Sequence, residues 1–109
     1  MTDQITINRH YMTPADVRSQ LADIRRVVAA LPMSPHVKAA GRHDLDIAES
    51  ALNEDIPDEP RIALAVHSLT QTLVRAGAIT RAGRALHDPL TVLGAWLGPQ
   101  GLPITRMLD

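Results

Sequence analysis

The stretch that decides the fold runs Pro60-Arg-Ile-Ala-Leu-Ala-Val-His-Ser-Leu-Thr-Gln-Thr-Leu-Val-Arg-Ala-Gly77. Its apolar residues recur at intervals of 4, 3, 4 and 3, which is typical of an α-helix that packs along another helix. Asp58 or Glu59 can cap the start, and Gly77 is suited to a left-handed stop. The stretch therefore predicts a helix with one apolar stripe, formed by Ile62, Val66, Leu69, Leu73 and Ala76.

Two segments upstream carry similar sequence signals for the start of a helix. Thr13-Pro14 and Ser34-Pro35 each combine a capping hydroxyl with a proline at the first helical position, and Pro32 ends the first segment. The short connection between the two segments predicts an antiparallel helical hairpin. Inside the second segment Gly41 costs about 1 kcal/mol relative to alanine, so we expect another helix to approach it closely.

Downstream, apolar residues continue at the same spacing as far as Leu97. Pro89 interrupts the hydrogen-bond ladder, so we expect a last helix that is kinked or broken there, over about 79–87 and 89–97. The predicted fold is an all-α, small antiparallel four-helix bundle made of two helical hairpins. The predicted organisation is an extended or flexible N-terminal arm (1–12), a helical bundle domain (13–98) and a C-terminal tail (99–109). Because the tail is apolar, we expect it to pack against another surface.

The core has to be aliphatic. Hydrophobic residues make up 45% of the chain, but there is no Phe, one Trp and one Tyr. Thin aliphatic faces often need a second chain to complete their burial, so we expect a homodimer or a higher oligomer. The residues expected in the core or dimer interface include Leu21, Ile24, Val28, Leu69, Leu73, Leu90, Leu93 and Trp96.

Composition excludes several function classes. The chain has no cysteine, which rules out disulfides, thiolate catalysis and zinc–thiolate sites. A net charge of −1 argues against a dedicated nucleic-acid binder. The N-terminus lacks the features of a secretory signal, and no apolar run is long enough to span a membrane. We therefore expect a cytoplasmic protein that does not bind membranes.

Catalytic and cofactor-binding patterns are not found in the sequence. His36 and His43 are seven residues apart, about 10.5 Å along a helix axis, which does not suit shared metal binding. His43 and Asp46 could form a local pair, but we expect the histidines to be structural or exposed. No serine lies in a nucleophile elbow, and no glycine pattern fits a phosphate loop. We expect no catalytic residues, no metal and no cofactor.

Charge is divided along the chain. Positions 44–59 contain seven acidic residues and no Lys or Arg, whereas positions 60–87 contain arginines and no acidic residue. The acids form either a solvated edge or a docking patch for a basic partner, and the two regions could pair within one fold or between subunits. The expected acidic interaction patch is Asp44, Asp46, Glu49, Glu54 and Asp55, and the expected basic patch is Arg75, Arg81 and Arg84.

Those arginines also support an alternative function. The segment Leu73-Val-Arg-Ala-Gly-Ala-Ile-Thr-Arg81, within residues 62–87, is similar to the end of a recognition helix and its turn in a helix-turn-helix regulator. Arg75, Arg81 and Arg84 could contact DNA phosphates. The region after it reads as helix rather than a β-hairpin wing, and the acidic stretch would repel DNA. A DNA-binding regulator is therefore the second interpretation.

A last signal is a resemblance, carried by the Ile-Thr-Ile-Asn start and by Pro60-Arg-Ile, Leu73-Val-Arg-Ala-Gly-Ala and Trp96-Leu-Gly98. Over residues 5–98 the chain resembles small actinobacterial helical-hairpin modules of unknown function, some of which lie beside effector domains of bacterial conflict systems. The resemblance implies an adaptor or self-association role and no catalytic residues. Our first hypothesis is a non-enzymatic module for protein–protein interaction or self-association.

Overall fold

The computed structural model describes residues 12–108, which are helical and contain no β-strand. The all-α prediction is confirmed for this part of the chain; the predicted arm falls, apart from Met12, outside the described residues. The helices are α1 (Pro14–Ala30), α2 (Pro35–Leu52), α3 (Glu59–Arg75), α4 (Ala78–Ala82), α5 (Arg84–Trp96), a 3₁₀ helix (Gly98–Gly101) and α6 (Leu102–Leu108). No helix within residues 12–108 has both the length and the apolarity to cross a bilayer.

The first three helices begin at the capping residues that the sequence predicts. At α1 the Thr13 hydroxyl accepts the Asp16 N–H at 3.2 Å, and the Asp16 carboxylate accepts the Thr13 N–H at 3.0 Å. Ser34 caps α2, and Asp58 caps α3 by accepting from the backbone N–H of Arg61. Each cap satisfies a backbone donor that has no partner inside its helix.

The helices pack so that α1 lies between α2 and α5. α1 and α2 are antiparallel, since Arg18 near the start of α1 bonds to Asn53 at the end of α2. At the other end of the pair the Lys38 ammonium donates to the carbonyl of Ala29 at 2.9 Å. α2 then packs along α3 over most of its length. These polar contacts lie at the two ends of the α1–α2 pair.

The core is aliphatic. All the residues predicted for the core or dimer interface lie in or against it within this one chain: Trp96 is half-buried against it, and the other seven are at most 1% exposed. Branched and straight aliphatic side chains from α1, α2, α3 and α5 meet there. Fully buried large side chains include Leu21, Ile24, Leu45, Leu52, Ile62, Leu69, Leu73, Leu86, Leu90, Leu93 and Ile104.

The break after α3 differs from the prediction. Helix α5 continues through Pro89, and the break between α4 and α5 falls at Gly83. Of the two alternatives predicted, a helix broken at Pro89 is therefore wrong, and a helix kinked there stays a prediction. Gly83 has φ 59° and ψ −130°, a conformation that glycine adopts far more readily than other residues. Pro89 removes one helical hydrogen bond, which the buried packing of α5 tolerates.

The predicted second hairpin is also replaced by another arrangement. α5 packs mainly on α1 and on the C-terminal helices, and only slightly on α3. The space beside α3 is taken by the 3₁₀ helix and α6. Residues of the predicted C-terminal tail therefore complete the helical body, with Ile104 fully buried in its core.

Two glycines bring α6 onto α5. A Cβ on Gly101 would overlap the backbone of Gly94, and a Cβ on Gly94 would lie 2.7 Å from the Thr105 methyl carbon. Main chain therefore meets main chain at this point. Gly41 is different: a Cβ there would lie 3.6 Å from side-chain carbons of Leu69 and Val28, an ordinary contact distance. The close approach expected at Gly41 is absent, and it occurs at Gly94 and Gly101.

Candidate functional site

An apolar groove opens between α3 and the C-terminal helices. Its volume is about 410 Å³, and we call it the α3 groove. One wall comes from the first half of α3, and the other comes from the 3₁₀ helix and the start of α6. The lining residues are Pro60, Ala63, Leu64, His67, Gln100 and Pro103.

The helix α3 positions one wall because its core stripe fixes its rotation. Ile62, Val66 and Leu69 are buried, which turns Pro60 and Leu64 away from the core. As a result, Leu64 is 73% exposed at the edge of the groove. An exposed leucine beside an apolar groove differs from one scattered on a polar surface, because a ligand can cover both together.

The other wall is held by backbone packing. The Gly94–Gly101 contact seats the 3₁₀ helix against α5, and the buried side chain of Ile104 holds α6. Gln100 and Pro103 lie on either side of Gly101 and line the groove. The groove is therefore built on packed helices rather than on loops.

The predicted acidic patch is not one surface. Asp46 and Glu49 accept hydrogen bonds from Arg25 of α1 at 2.8 Å and 3.0 Å, so they are paired within the chain. The hydrogen bond to Asp46 raises the pKa of Arg25 above its ordinary value, and partial burial opposes this. Glu54 and Asp55 lie exposed in the loop between α2 and α3.

Asp44, the remaining acid of that patch, is buried at 9% exposure on α2. Burial raises the pKa of the Asp44 carboxyl, while a hydrogen bond with Ser68 and the charge of His43 lower it in part. No hydrogen bond joins a histidine to a serine within residues 12–108, so Ser68 has no histidine partner there. The arrangement satisfies a buried carboxylate between α2 and α3.

The predicted basic patch is divided among three helices. Arg75 ends α3, Arg81 lies on α4 in a groove with Pro32 and Val37, and Arg84 begins α5 beside α1. The three arginines therefore belong to three different helices rather than to one recognition helix.

The histidines and acids do not form a metal site in the described part of the chain. No three His, Asp or Glu side chains between residues 12 and 108 converge in a way that could hold a metal ion. The pair suggested for His43 and Asp46 is not formed, because Asp46 bonds to Arg25. His10 lies outside the described residues.

Comparison with protein-family models, curated proteins and solved structures returned no match. Sequence reasoning missed Leu64 and the α3 groove, although a signal was present: Leu64 is a large aliphatic residue that falls off the buried stripe of α3.

Proposed function

We propose that this protein is a non-enzymatic helical module for protein–protein interaction or self-association, and that it binds through the α3 groove. The observation that carries the proposal is the exposed Leu64 beside a preformed apolar groove of about 410 Å³. Apolar grooves of this kind receive apolar side chains from a partner helix or segment. The resemblance noted in the sequence implies the same role, and we propose a cytoplasmic setting for it.

The polar groups support this interpretation. Arg25 forms ion pairs with Asp46 and Glu49 at the α1–α2 margin, and Asp44 is buried on α2, where Ser68 lowers the pKa of its carboxyl in part against the effect of burial. Their contacts stabilise the packing of helices, and none of these charged residues lines the α3 groove. The groove lining is mostly apolar, with His67 as its one titratable side chain, and a lining of this kind suits the binding of an apolar segment.

The test compares two exposed apolar residues. Leu64→Asp places a charge at the groove, whereas Ile56→Asp places the same charge on a loop side chain that is 84% exposed and not among the groove-lining residues. Both variants should retain helical circular dichroism, because neither side chain is in the core. We expect Leu64→Asp to lose self-association in sedimentation and partner retention in pull-down, while Ile56→Asp keeps both.

Two results would refute the proposal. One is a wild-type chain that stays monomeric and retains no protein. The other is equal association by Leu64→Asp and wild type. The DNA-binding alternative has its own assay: salt-sensitive binding to duplex DNA that disappears on replacing Arg75, Arg81 and Arg84 by alanine.

A further inference from the structure

The first residues of the chain carry a short alternating pattern. Ile5, Ile7 and Tyr11 lie at odd positions, with polar residues between them. In an extended segment alternate residues share one side, so this pattern gives one side that is largely apolar and one that is polar. Residues 1–11 lie outside the described part of the chain, and we call them the N-terminal segment.

The N-terminal segment joins the helical body at the end where the α3 groove begins. Arg18 on α1 donates to the Asn53 side chain at 2.7 Å, so the start of α1 lies beside the end of α2. The Asp58 N–H donates to the Ala51 carbonyl at 3.1 Å, which holds the start of α3 at the same end. Met12, the residue that follows the segment, packs against the core. The groove begins at the second residue of α3, close to this junction.

The N-terminal segment is long enough to reach the groove. α1 and α3 both pack on α2, so their axes are no more than about 20 Å apart, which is twice a helix-packing distance of about 10 Å. Ile5 precedes Met12 by seven residues, and an extended chain covers about 3.3 Å per residue, or about 23 Å over that length. Ile5 can therefore lie in the groove, with Ile7 nearer the start of α3.

The charges at this end of the molecule match those of the N-terminal segment. Four acidic residues lie in the loop before α3 or at the start of that helix: Glu54, Asp55, Asp58 and Glu59. Within residues 12–108 none of these four carboxylates forms an ion pair. Arg9 precedes Met12 by three residues, so it stays near this acidic end, whereas Asp3 lies farther along the segment than Ile5. The segment is thus complementary in charge to the acids and in polarity to the groove.

We propose that the N-terminal segment occupies the α3 groove of its own chain, with Ile5 beside Leu64, and competes there with any other binding partner. This inference rests on the proposed function for the groove as the binding site, and it adds how access to that site is controlled. Covalent attachment favours the segment, because a short tether gives an effective concentration of about 1 mM. Below that chain concentration, the segment of a second copy does not compete effectively.

Thiol reactivity tests whether the groove is covered, since the native chain contains no cysteine. Gln100→Cys places a thiol on an exposed position of the groove wall. Because the segment covers that wall, this thiol should react with a thiol reagent at least about two-fold more slowly than the thiol of the Gln100→Cys/Ile5→Ser chain. Thr6→Ser, on the polar side of the segment, is the matched control and should keep the slow rate. Ile56→Cys, outside the groove, should react equally fast with and without Ile5→Ser.

A peptide experiment shows whether the segment itself is responsible. A peptide of residues 1–11, added at about 1 mM to the Gln100→Cys/Ile5→Ser chain, should restore the slow rate, and the same peptide with Ile5→Ser should not. Protection in the Gln100→Cys chain should not depend on chain concentration between about 1 µM and 100 µM, because it arises within one molecule. Protection that grows over this range would mean that a second copy supplies the segment, and it would overturn the intrachain arrangement.

The outcomes separate this inference from the proposed function. Equal thiol rates with and without Ile5→Ser overturn the inference, whereas the groove remains the binding site if Leu64→Asp still abolishes association. Protection that depends on Ile5, in a chain that does not associate even as Ile5→Ser, supports the inference and refutes the interaction module. If both hold, Ile5→Ser should associate more tightly than wild type by about the same factor as the change in thiol rate, because the segment no longer competes.

Discussion

Replacing Gly41 by alanine should stabilise the protein. Gly41 is the seventh residue of α2 and is buried between α1 and α3. A Cβ there would meet the Leu69 and Val28 side chains at 3.6 Å, which is contact without overlap. Gly41 therefore destabilises its helix by about 1 kcal/mol relative to alanine, and it does not allow the neighbouring helices to pack any closer. The Gly41→Ala variant should recover roughly that amount.

The size of the effect is measurable by urea unfolding followed by far-UV circular dichroism. A gain of about 1 kcal/mol corresponds to a midpoint shift of about 0.3–1 M urea, given slopes of about 1–3 kcal/mol/M for small proteins. The melting temperature should rise by about 4–8 °C. The slope itself should not change, because the surface exposed on unfolding is nearly the same.

Gly94→Ala is the matched comparison and should have the opposite sign. Its Cβ would lie 2.7 Å from the Thr105 methyl carbon and 3.3 Å from the Gly101 carbonyl oxygen, so the Thr105 side chain or α6 itself has to shift. A Gly41→Ala variant that is less stable than wild type would refute the reasoning, since it would mean that α1 or α3 cannot yield even to an ordinary contact. Measurements at two protein concentrations distinguish folding stability from self-association.

Three further changes have defined outcomes. Gly101→Ala should lower the unfolding free energy by about 1–3 kcal/mol, because the added carbon overlaps backbone that cannot rotate away; an unchanged urea midpoint would contradict this. Leu69→Asp should unfold or dissociate the protein, as expected for an unpaired charge in the core, and a folded variant of unchanged mass in light scattering would count against the fold. Asp44→Asn should be more stable than wild type, and the difference should grow as the pH rises above about 4, where the Asp44 carboxyl of the unfolded wild type ionises. Burial raises the pKa of Asp44 in the folded state, so the folded state binds the proton more tightly than the unfolded state. The free energy of unfolding of the wild type therefore falls as the pH rises from the unfolded pKa through the folded pKa. A stability difference that does not depend on pH would refute the burial of its charge.

Much of the fold could be predicted from the sequence because local signals agreed with packing. Thr13, Ser34 and Asp58 cap helices where capping chemistry predicts, and Gly77 adopts the expected positive φ of 73°. The 4-3-4-3 stripe of α3 is buried throughout its large members. These features depend on neighbours within a few residues, which a sequence displays directly.

Long-range features were not predictable in the same way. Pro89 looked like the break, but a proline inside a well-packed helix removes one hydrogen bond, whereas Gly83 permits a backbone conformation that redirects the chain. The sequence likewise does not show which glycine meets another backbone. Gly41, Gly94 and Gly101 look alike in sequence, and only their tertiary neighbours distinguish them.

The candidate site was harder to predict from the sequence than the fold, because its residues form no recognisable catalytic or ligand-binding motif. The acids at 44–59 look like a patch until Arg25 is placed beside Asp46 and Glu49 by the packing of α1 on α2. The α3 groove depends on the position of α6, and the sequence analysis predicted these residues to be a C-terminal tail rather than a helix. A groove formed by pieces distant in sequence needs the tertiary fold before its lining can be listed.

The main-chain contact between Gly94 and Gly101 has a consequence for how this surface can diversify. The contact is between main-chain atoms, and Ile104 adds its buried side chain, so Gln100 takes no part in holding this wall of the groove. A chain that keeps both glycines and Ile104 is expected to tolerate other residues at position 100 without disturbing the scaffold. Such substitutions would change which binding partner the α3 groove selects, while the fold that forms the groove stays the same.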